Sequence, residues 1–506
     1  MSRSLVAFLA AALAIGLSGA VAGQEGGDYG PCGQGREGKP RRIKGGESFA
    51  PLPLPATPLR RTERKREPAP PTLIGKIVWG GNHTGRTRDG EEYRFADWNL
   101  DPSDVQRLLK AANRELGIRF TDTRIDLRSF SYDPAEVPIL YLSGTRAPSF
   151  DAETLRRLRG YVEAGGSLWA DACHGSKEFA GAFRAMMAAA FPDRPLAPLA
   201  PDHALFRAAR TITRVRYSAA VTDRPDGAPW LEGIYIGCRT AVLLTPYDLS
   251  CAWDSLHEPE GASCVVGRDA FDLGVNMVAY ALAYHDLGRY LAEKRTLETQ
   301  DPSLTGDFTF AQIRFDGLWD PDPSAFANLL EAVLAETSTR VCLGRTAVRL
   351  AGDDLSVHPF LYMTGHGDFR LSDDEVRGLA AYLESGGTLL ADACCGDLVF
   401  DAAFRRELAR ALPGRKLETL PGDHPVLSAH HRIAAIEYTP QAKATFEGLA
   451  TPAIEGIDFE GRTRVFYSRF DLGCGWEGQP HPFARGVSGE DALRLGTNIV
   501  VYALTH

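Results

Sequence analysis

The feature that most constrains this chain is that it contains itself twice. Residues 158–183 (LRGYVEAGGSLWADACHGSKEFAGAF) and 379–404 (LAAYLESGGTLLADACCGDLVFDAAF) are identical at 14 of 26 positions, at a spacing of 221 residues. The same spacing pairs Trp98 with Trp319, Pro138 with Pro359 and His203 with His424. Beyond that point the register drifts by one or two residues. Glu232-Gly233 then matches Glu455-Gly456, Asp248-Leu249 matches Asp471-Leu472, and Trp253 matches Trp476. Near the end, LGVNMVAYAL from Leu273 matches LGTNIVVYAL from Leu495. A period this long exceeds that of any stacked solenoid repeat, so it marks a duplicated domain. The copies are placed at 73–285 and 306–506, with a helical or polar connector at 286–305. The first copy carries roughly 15 extra residues, about Gly81 to Phe95, near its start.

Within each copy, short apolar runs alternate with helical patterns. In the second copy AQIRF reads as a strand, 323–336 as an amphipathic helix and PFLYMTG as a strand. Helix 373–384, strand GTLLAD and helix 400–411 follow. Apolar strands separated by helices of this length predict an α/β fold, a mostly parallel sheet covered on both faces. Sites in such sheets form at the carboxyl ends of the strands.

The residues before the repeat are of two kinds. Residues 1–22 read as a signal peptide: Arg3 is followed by an apolar run from Leu5 to about Leu17 and by Ala20-Val21-Ala22. The run is shorter than the ~20 residues a spanning helix needs, so no transmembrane segment is expected in the mature chain. Export to the periplasm or the cell exterior follows. Residues 23–72, rich in Pro, Gly and Arg, carry ten basic and six acidic side chains and few large apolar ones. They read as a disordered linker. The whole chain has a formal net charge of −9, which gives no reason to expect a nucleic acid partner.

Three segments fall at strand ends in both copies: SGT at Ser143 and TGH at Thr364, DACHG at Asp171 and DACCG at Asp392, DLSCAW at Asp248 and DLGCGW at Asp471. A fourth, Asp202-His203 and Asp423-His424, lies in a loop. On PFLYMTGHGDF, LESGGTLLADACCG, GDHPV, EGI, DLGCGWE and LGTNIVVYAL, the chain resembles the bacterial family called domain of unknown function 4159, present twice. The resemblance implies three-layer domains of flavodoxin-like or class I glutamine amidotransferase-like fold, and no established activity.

The amidotransferase likeness implies a nucleophilic Cys at a strand-to-helix elbow. Cys394 and Cys173 take that place, with backbone N–H groups near Gly144 and Gly365 to hold an oxyanion. The pattern also departs from that chemistry. Asp392 and Asp171 replace the first Gly of the elbow and oppose thiolate formation. The candidate base, His424, arrives in a different loop from the one that supplies the base in amidotransferases. The catalytic candidates are therefore Cys394, His424 and Asp392. The candidate binding residues are Gly365, His366, Asp423, Asp471 and Trp476, with Asp171, His174, His203 and Asp248 in the first copy. A metal reading gathers Asp392, Cys395, His424, Asp471 and Cys474, or Asp171, His174, His203, Asp248 and Cys251. The donor types suit zinc, but no CxxC or HxxxH spacing accompanies them, so no cofactor is assigned.

Other readings are structural. Asp171 and Asp392 accept helix N–H groups, and Trp253 and Trp476 pack in the core. For an exported chain, the Cys pairs Cys173–Cys251 and Cys394–Cys474 read as disulfides. The sequence therefore predicts an exported, non-catalytic tandem that binds a small molecule or protein at its strand ends. The alternative is a thiol- or metal-dependent hydrolase or amidase with its site in the second copy. If only one copy keeps a ligand site, it is the second.

Overall fold

Segments that are apolar along nearly their whole length, such as ILYLSG and FLYMTG, bury every residue and form central strands. A computed structural model describes residues 69–86, 91–255, 261–297, 309–341, 346–479 and 481–506. The expected signal peptide and almost all of the expected linker lie outside the described residues. The first strand opens at Thr72, the last residue of that linker.

In the first copy β1 (Thr72–Ile77) is followed by the hairpin β2 (Asn82–Arg86) and β3 (Glu92–Ala96), then α1 (Asp104–Leu116), β4 (Thr121–Ile125) and β5 (Ile139–Gly144). Next come α2 (Ala152–Glu163), β6 (Ser167–Ala172), α3 (Lys177–Ala190) and β7 (Ala197–Pro198). The copy closes with β8 (Glu232–Ile236), β9 (Arg239–Thr245), α4 (Ser250–Ser255) and α5 (Arg268–Leu297). The second copy runs β10 (Phe310–Ile313), α6 (Ala325–Glu336), β11 (Thr346–Val348), β12 (Phe360–Gly365) and α7 (Asp373–Glu384). It continues through β13 (Thr388–Ala393), α8 (Leu398–Ala411), β14 (Glu418–Thr419), α9 (Pro440–Thr445), β15 (Glu455–Phe459), β16 (Arg462–Ser468), α10 (Gly473–Trp476) and α11 (Gly489–Thr505).

The two seven-stranded sheets have one topology. The first is ordered β4-β1-β5-β6-β9-β8-β7 and the second β11-β10-β12-β13-β16-β15-β14. In the first, β4, β1, β5, β6 and β9 pair in parallel, while β8 and β7 add antiparallel at one edge. The second sheet pairs in the same way. Separate apolar clusters fill the two faces of each sheet, so helices cover both. This is the mostly parallel α/β architecture expected from the repeat. The extra residues of the first copy form the β2–β3 hairpin, which stands outside both large sheets. The helix ends follow local sequence: Ser372 and Glu375 form a capping box on α7, and Asp151 caps α2 through the Thr154 N–H. The expected connector begins inside α5, which runs on to Leu297. Among the described residues, no helix is long and apolar enough to cross a membrane.

Candidate metal centre

The elbow after β13 is where the second copy concentrates its thiols. Cys395 has φ 53°, in the left-handed region that L residues other than Asn and Asp rarely occupy, and Gly396 follows at φ 63°. Gly396 admits no side chain, because a Cβ there would come within 2.5 Å of the Arg485 carbonyl oxygen. The Arg485 N–H in turn donates to the Cys395 carbonyl at 3.1 Å. This latch turns the Cys394 and Cys395 side chains toward the loop after β16. Two carboxylates hold that loop. Asp392 accepts hydrogen bonds from Leu472 N–H (2.8 Å), Gly473 N–H (3.1 Å) and the Tyr362 hydroxyl (2.7 Å). Asp471 accepts from Cys474 N–H at 2.7 Å and from Cys395 N–H. Carboxylates spent on orienting backbone are scaffolding, and the first copy repeats the device. There Asp171 accepts from Leu249 N–H and Ser250 N–H, and Asp248 from His174 N–H and Cys251 N–H.

The fourth thiol comes from the other copy. The turn between β8 and β9 is Gly237-Cys238, with Gly237 at φ 63°. A hairpin tip is normally exposed, yet Cys238 is only 3% exposed because the tip inserts into the second copy. Its sulfur lies 3.2 Å from Cys394 Sγ and 3.7 Å from Cys474 Sγ. Cys474 Sγ is 3.9 Å from Cys394 Sγ and 3.7 Å from Cys395 Sγ, and Cys394 and Cys395 are 3.9 Å apart. All four sulfurs lie within 4.8 Å of one another. Thiolates bound at about 2.3 Å to one tetrahedral ion are about 3.8 Å apart, so the cluster has the dimensions of a four-thiolate metal site.

Three further side chains close on the thiols. Asp322 places Oδ1 2.7 Å from Cys238 Sγ and Oδ2 3.2 Å from Cys394 Sγ. Glu477 fixes the start of α6 behind it, accepting from the Ser324 N–H (2.8 Å) and hydroxyl (2.5 Å). His481 completes a second group of close donors with Cys238, Asp322 and Cys474. His366 stacks on Tyr235 of the first copy at 5.2 Å, and its Nδ1 lies 3.3 Å from Asp397 Oδ2.

Acidic groups crowd the site: although burial pulls the other way, Asp397 and the thiols hold the His366 imidazole, and Cys238 and Cys395 that of His481, well above the ordinary histidine range. Burial, with Cys238 and Asp471 nearby, pushes the Asp322 carboxyl well above the usual carboxylate range. Burial beside the other thiols pushes Cys394 and Cys474 up. Hydrogen bonding from Cys238, Cys394 and Cys474 holds Cys395 well below the ordinary thiol range. Four thiolates packed this closely ionise together only around a cation.

The two sequence copies match the family model described as Domain of unknown function (DUF4159) at residues 91–282 and 309–504. The chain belongs to this family. No curated protein matches it.

Against this geometry, the expected residues of the DUF4159 tandem sort clearly. Cys394, Cys395 and Cys474 converge, with Asp471 directly behind them. His424 does not join them: its Nδ1 accepts from Val426 N–H at 3.1 Å, and its Nε2 lies 3.0 Å from Thr463 Oγ1. A histidine committed at one ring nitrogen to its own loop and at the other to Thr463 of β16 is no base for Cys394, and Asp392 is spent on the Cys474 loop. Asp423 is exposed beside it. Trp476 is core, with Nε1 donating to the Ala492 carbonyl. Gly365 is closely packed, a Cβ there lying 2.6 Å from the Leu318 carbonyl oxygen. His203 is buried between Leu205 N–H and Thr240 Oγ1. With His366, Arg207 and Arg485 it lines a cavity of about 50 Å³ that opens on Cys395. His174 occupies the place of Cys395 in the first copy, at φ 58°, and is exposed. His174, Asp248 and Cys251 lie within 4.8 Å of one another, but Asp248 already serves backbone N–H groups and the Ser250 hydroxyl.

The expected disulfides are absent. Cys173, Cys251, Cys394 and Cys474 are all free thiols. Cys394 and Cys474 share their space with two more cysteines, so neither has an exclusive partner. Sequence reasoning missed Cys238, Asp322 and His481. Asp322 had a signal, because Asp101 stands at the matching place in the first copy. Cys238 had none in the repeat, since Gly461 takes its place in the second copy.

Proposed function

We propose that this chain is an exported, non-catalytic tandem DUF4159 protein whose ligand is a thiophilic divalent metal ion, zinc by donor chemistry. The ion is held by Cys238, Cys394, Cys395 and Cys474. The observation that carries the reading is the convergence of four sulfurs from two copies within 4.8 Å. Four thiolates fill a tetrahedral coordination shell and leave no open position, which is the pattern of a structural site. The ion fastens the first copy's hairpin to the strand ends of the second, and bound thiolates resist the oxidation that an exported chain meets. Metal analysis of protein purified under reducing conditions without chelator tests this. Zinc is expected at one or more equivalents per chain, and Cys238→Ser, which removes a direct ligand, should lower affinity by more than the roughly 10–100-fold typical of losing an outer-shell partner. Protein with all four thiols reduced and no affinity for zinc or cobalt would refute it.

One observation favours a second reading, a thiol-dependent hydrolase. Cys395 sits at a left-handed elbow with His366 and Asp397 close by, and its thiol ionises readily. Under this reading metal-free, reduced protein alkylates fastest at Cys395, and His366→Ala slows that labelling. Equal labelling rates in both proteins would dismiss it.

A further inference from the structure

The four-thiolate group does not account for the donors around it. Asp322 and His481 lie within 4.8 Å of Cys238 and Cys474 and of each other. Asp322 is 3% exposed, with one oxygen 2.7 Å from Cys238 Sγ and 3.6 Å from Cys474 Sγ. Both ring nitrogens of His481 are buried with no partner at ordinary hydrogen-bond distance, and the groups that act on the ring are the Cys238 and Cys395 thiols. A buried imidazole that faces only thiols at this range is better satisfied by a bound ion. Two four-donor groups therefore share Cys238 and Cys474, whose sulfurs are 3.7 Å apart.

We infer that the centre holds two thiophilic divalent ions bridged by the Cys238 and Cys474 thiolates. This rests on the four-thiolate reading above and adds a second ion to it. Cys394 and Cys395 complete the first ion's tetrahedron, and Asp322 with one nitrogen of His481 completes the second. A thiolate sulfur has lone pairs enough to bind two ions, and both bridging sulfurs face both sets of terminal donors. Charge points the same way. Four thiolates and the Asp322 carboxylate carry five formal negative charges in a buried site. One divalent ion leaves this ligand set at −3 and two ions leave it at −1, with the neighbouring Asp471 and His366 outside that tally. Uncompensated buried charge is strongly unfavourable. Glu477, hydrogen-bonded to the Ser324 N–H and hydroxyl, fixes the loop that carries Asp322, as an outer-shell carboxylate does for a metal ligand.

The test is titration of the reduced, metal-free full chain with zinc and with cobalt, read by bound stoichiometry and by the cobalt spectrum. Two equivalents per chain are expected. The double variant Asp322→Asn, His481→Ala should bind one equivalent and keep the spectrum of a four-thiolate cobalt ion. One equivalent in the unaltered chain, with that same spectrum, would overturn the second ion and leave the single-ion centre standing. No bound metal in the unaltered chain would overturn both. A second equivalent that survives in the folded double variant belongs to another donor group, such as His174, Asp248 and Cys251, and would also overturn the second ion.

Discussion

Buried polar side chains in this protein are committed to specific backbone groups, and that fixes what each can do. Asp392 takes three donors at no exposure. Asp392→Ala strands the Leu472 and Gly473 N–H groups and should cost about 2–4 kcal/mol in denaturant unfolding, with weakened metal binding although every sulfur remains. His203 gives a pH signature. Burial, opposed by Asp397, pulls its imidazole down to about 3 from an ordinary value near 6.5. The unfolded chain therefore takes up a proton between those values that the folded chain refuses. Stability present near pH 7 is lost as pH falls, by about 3 kcal/mol between pH 7 and pH 4. The His203→Gln variant should lose correspondingly less over that range. Equal slopes for the two proteins would show that His203 is not held neutral.

At the level of elements, two turns set the centre: the elbow at Cys395-Gly396 and the hairpin tip at Gly237-Cys238. Gly396→Ala meets both the left-handed backbone and the Arg485 carbonyl oxygen at 2.5 Å. Gly461, at the corresponding hairpin tip of the second copy, also has a positive φ but open space around it. Gly461→Ala should therefore cost only about 1 kcal/mol, and Gly396→Ala about 3 kcal/mol or more, with loss of metal binding. Thermal unfolding of the two variants checks the contrast. The repeat made the sheets legible, since apolar runs and a constant spacing specify strands whichever way the loops go. It also placed Cys394, Cys395 and Cys474 at one edge. It hid Cys238 and His481, because the hairpin tip and the loop after α10 act across copies, and a contact between copies leaves no periodicity in sequence. The His424 and disulfide expectations failed for a related reason: spacing places residues at an edge but does not say which backbone groups they serve.

In the whole unit from Thr72 to His506, the two copies meet at more than the thiols. Arg485 pairs with Asp202 at 2.8 Å, Arg207 donates to Gln441 at 2.8 Å, and Phe483 stacks on Tyr280 at 5.8 Å. The proposed metal is one fastener among these, so chelation should split unfolding into two transitions rather than unfold the chain outright. A single unchanged transition after complete metal removal would mean that the thiols add nothing to the junction. Metal binding shared by cysteines of both copies is checked by X-ray absorption at the zinc edge. A first shell dominated by sulfur at about 2.3 Å, diminished in Cys238→Ser, is expected. A first shell of only nitrogen and oxygen at about 2.0–2.1 Å would contradict it.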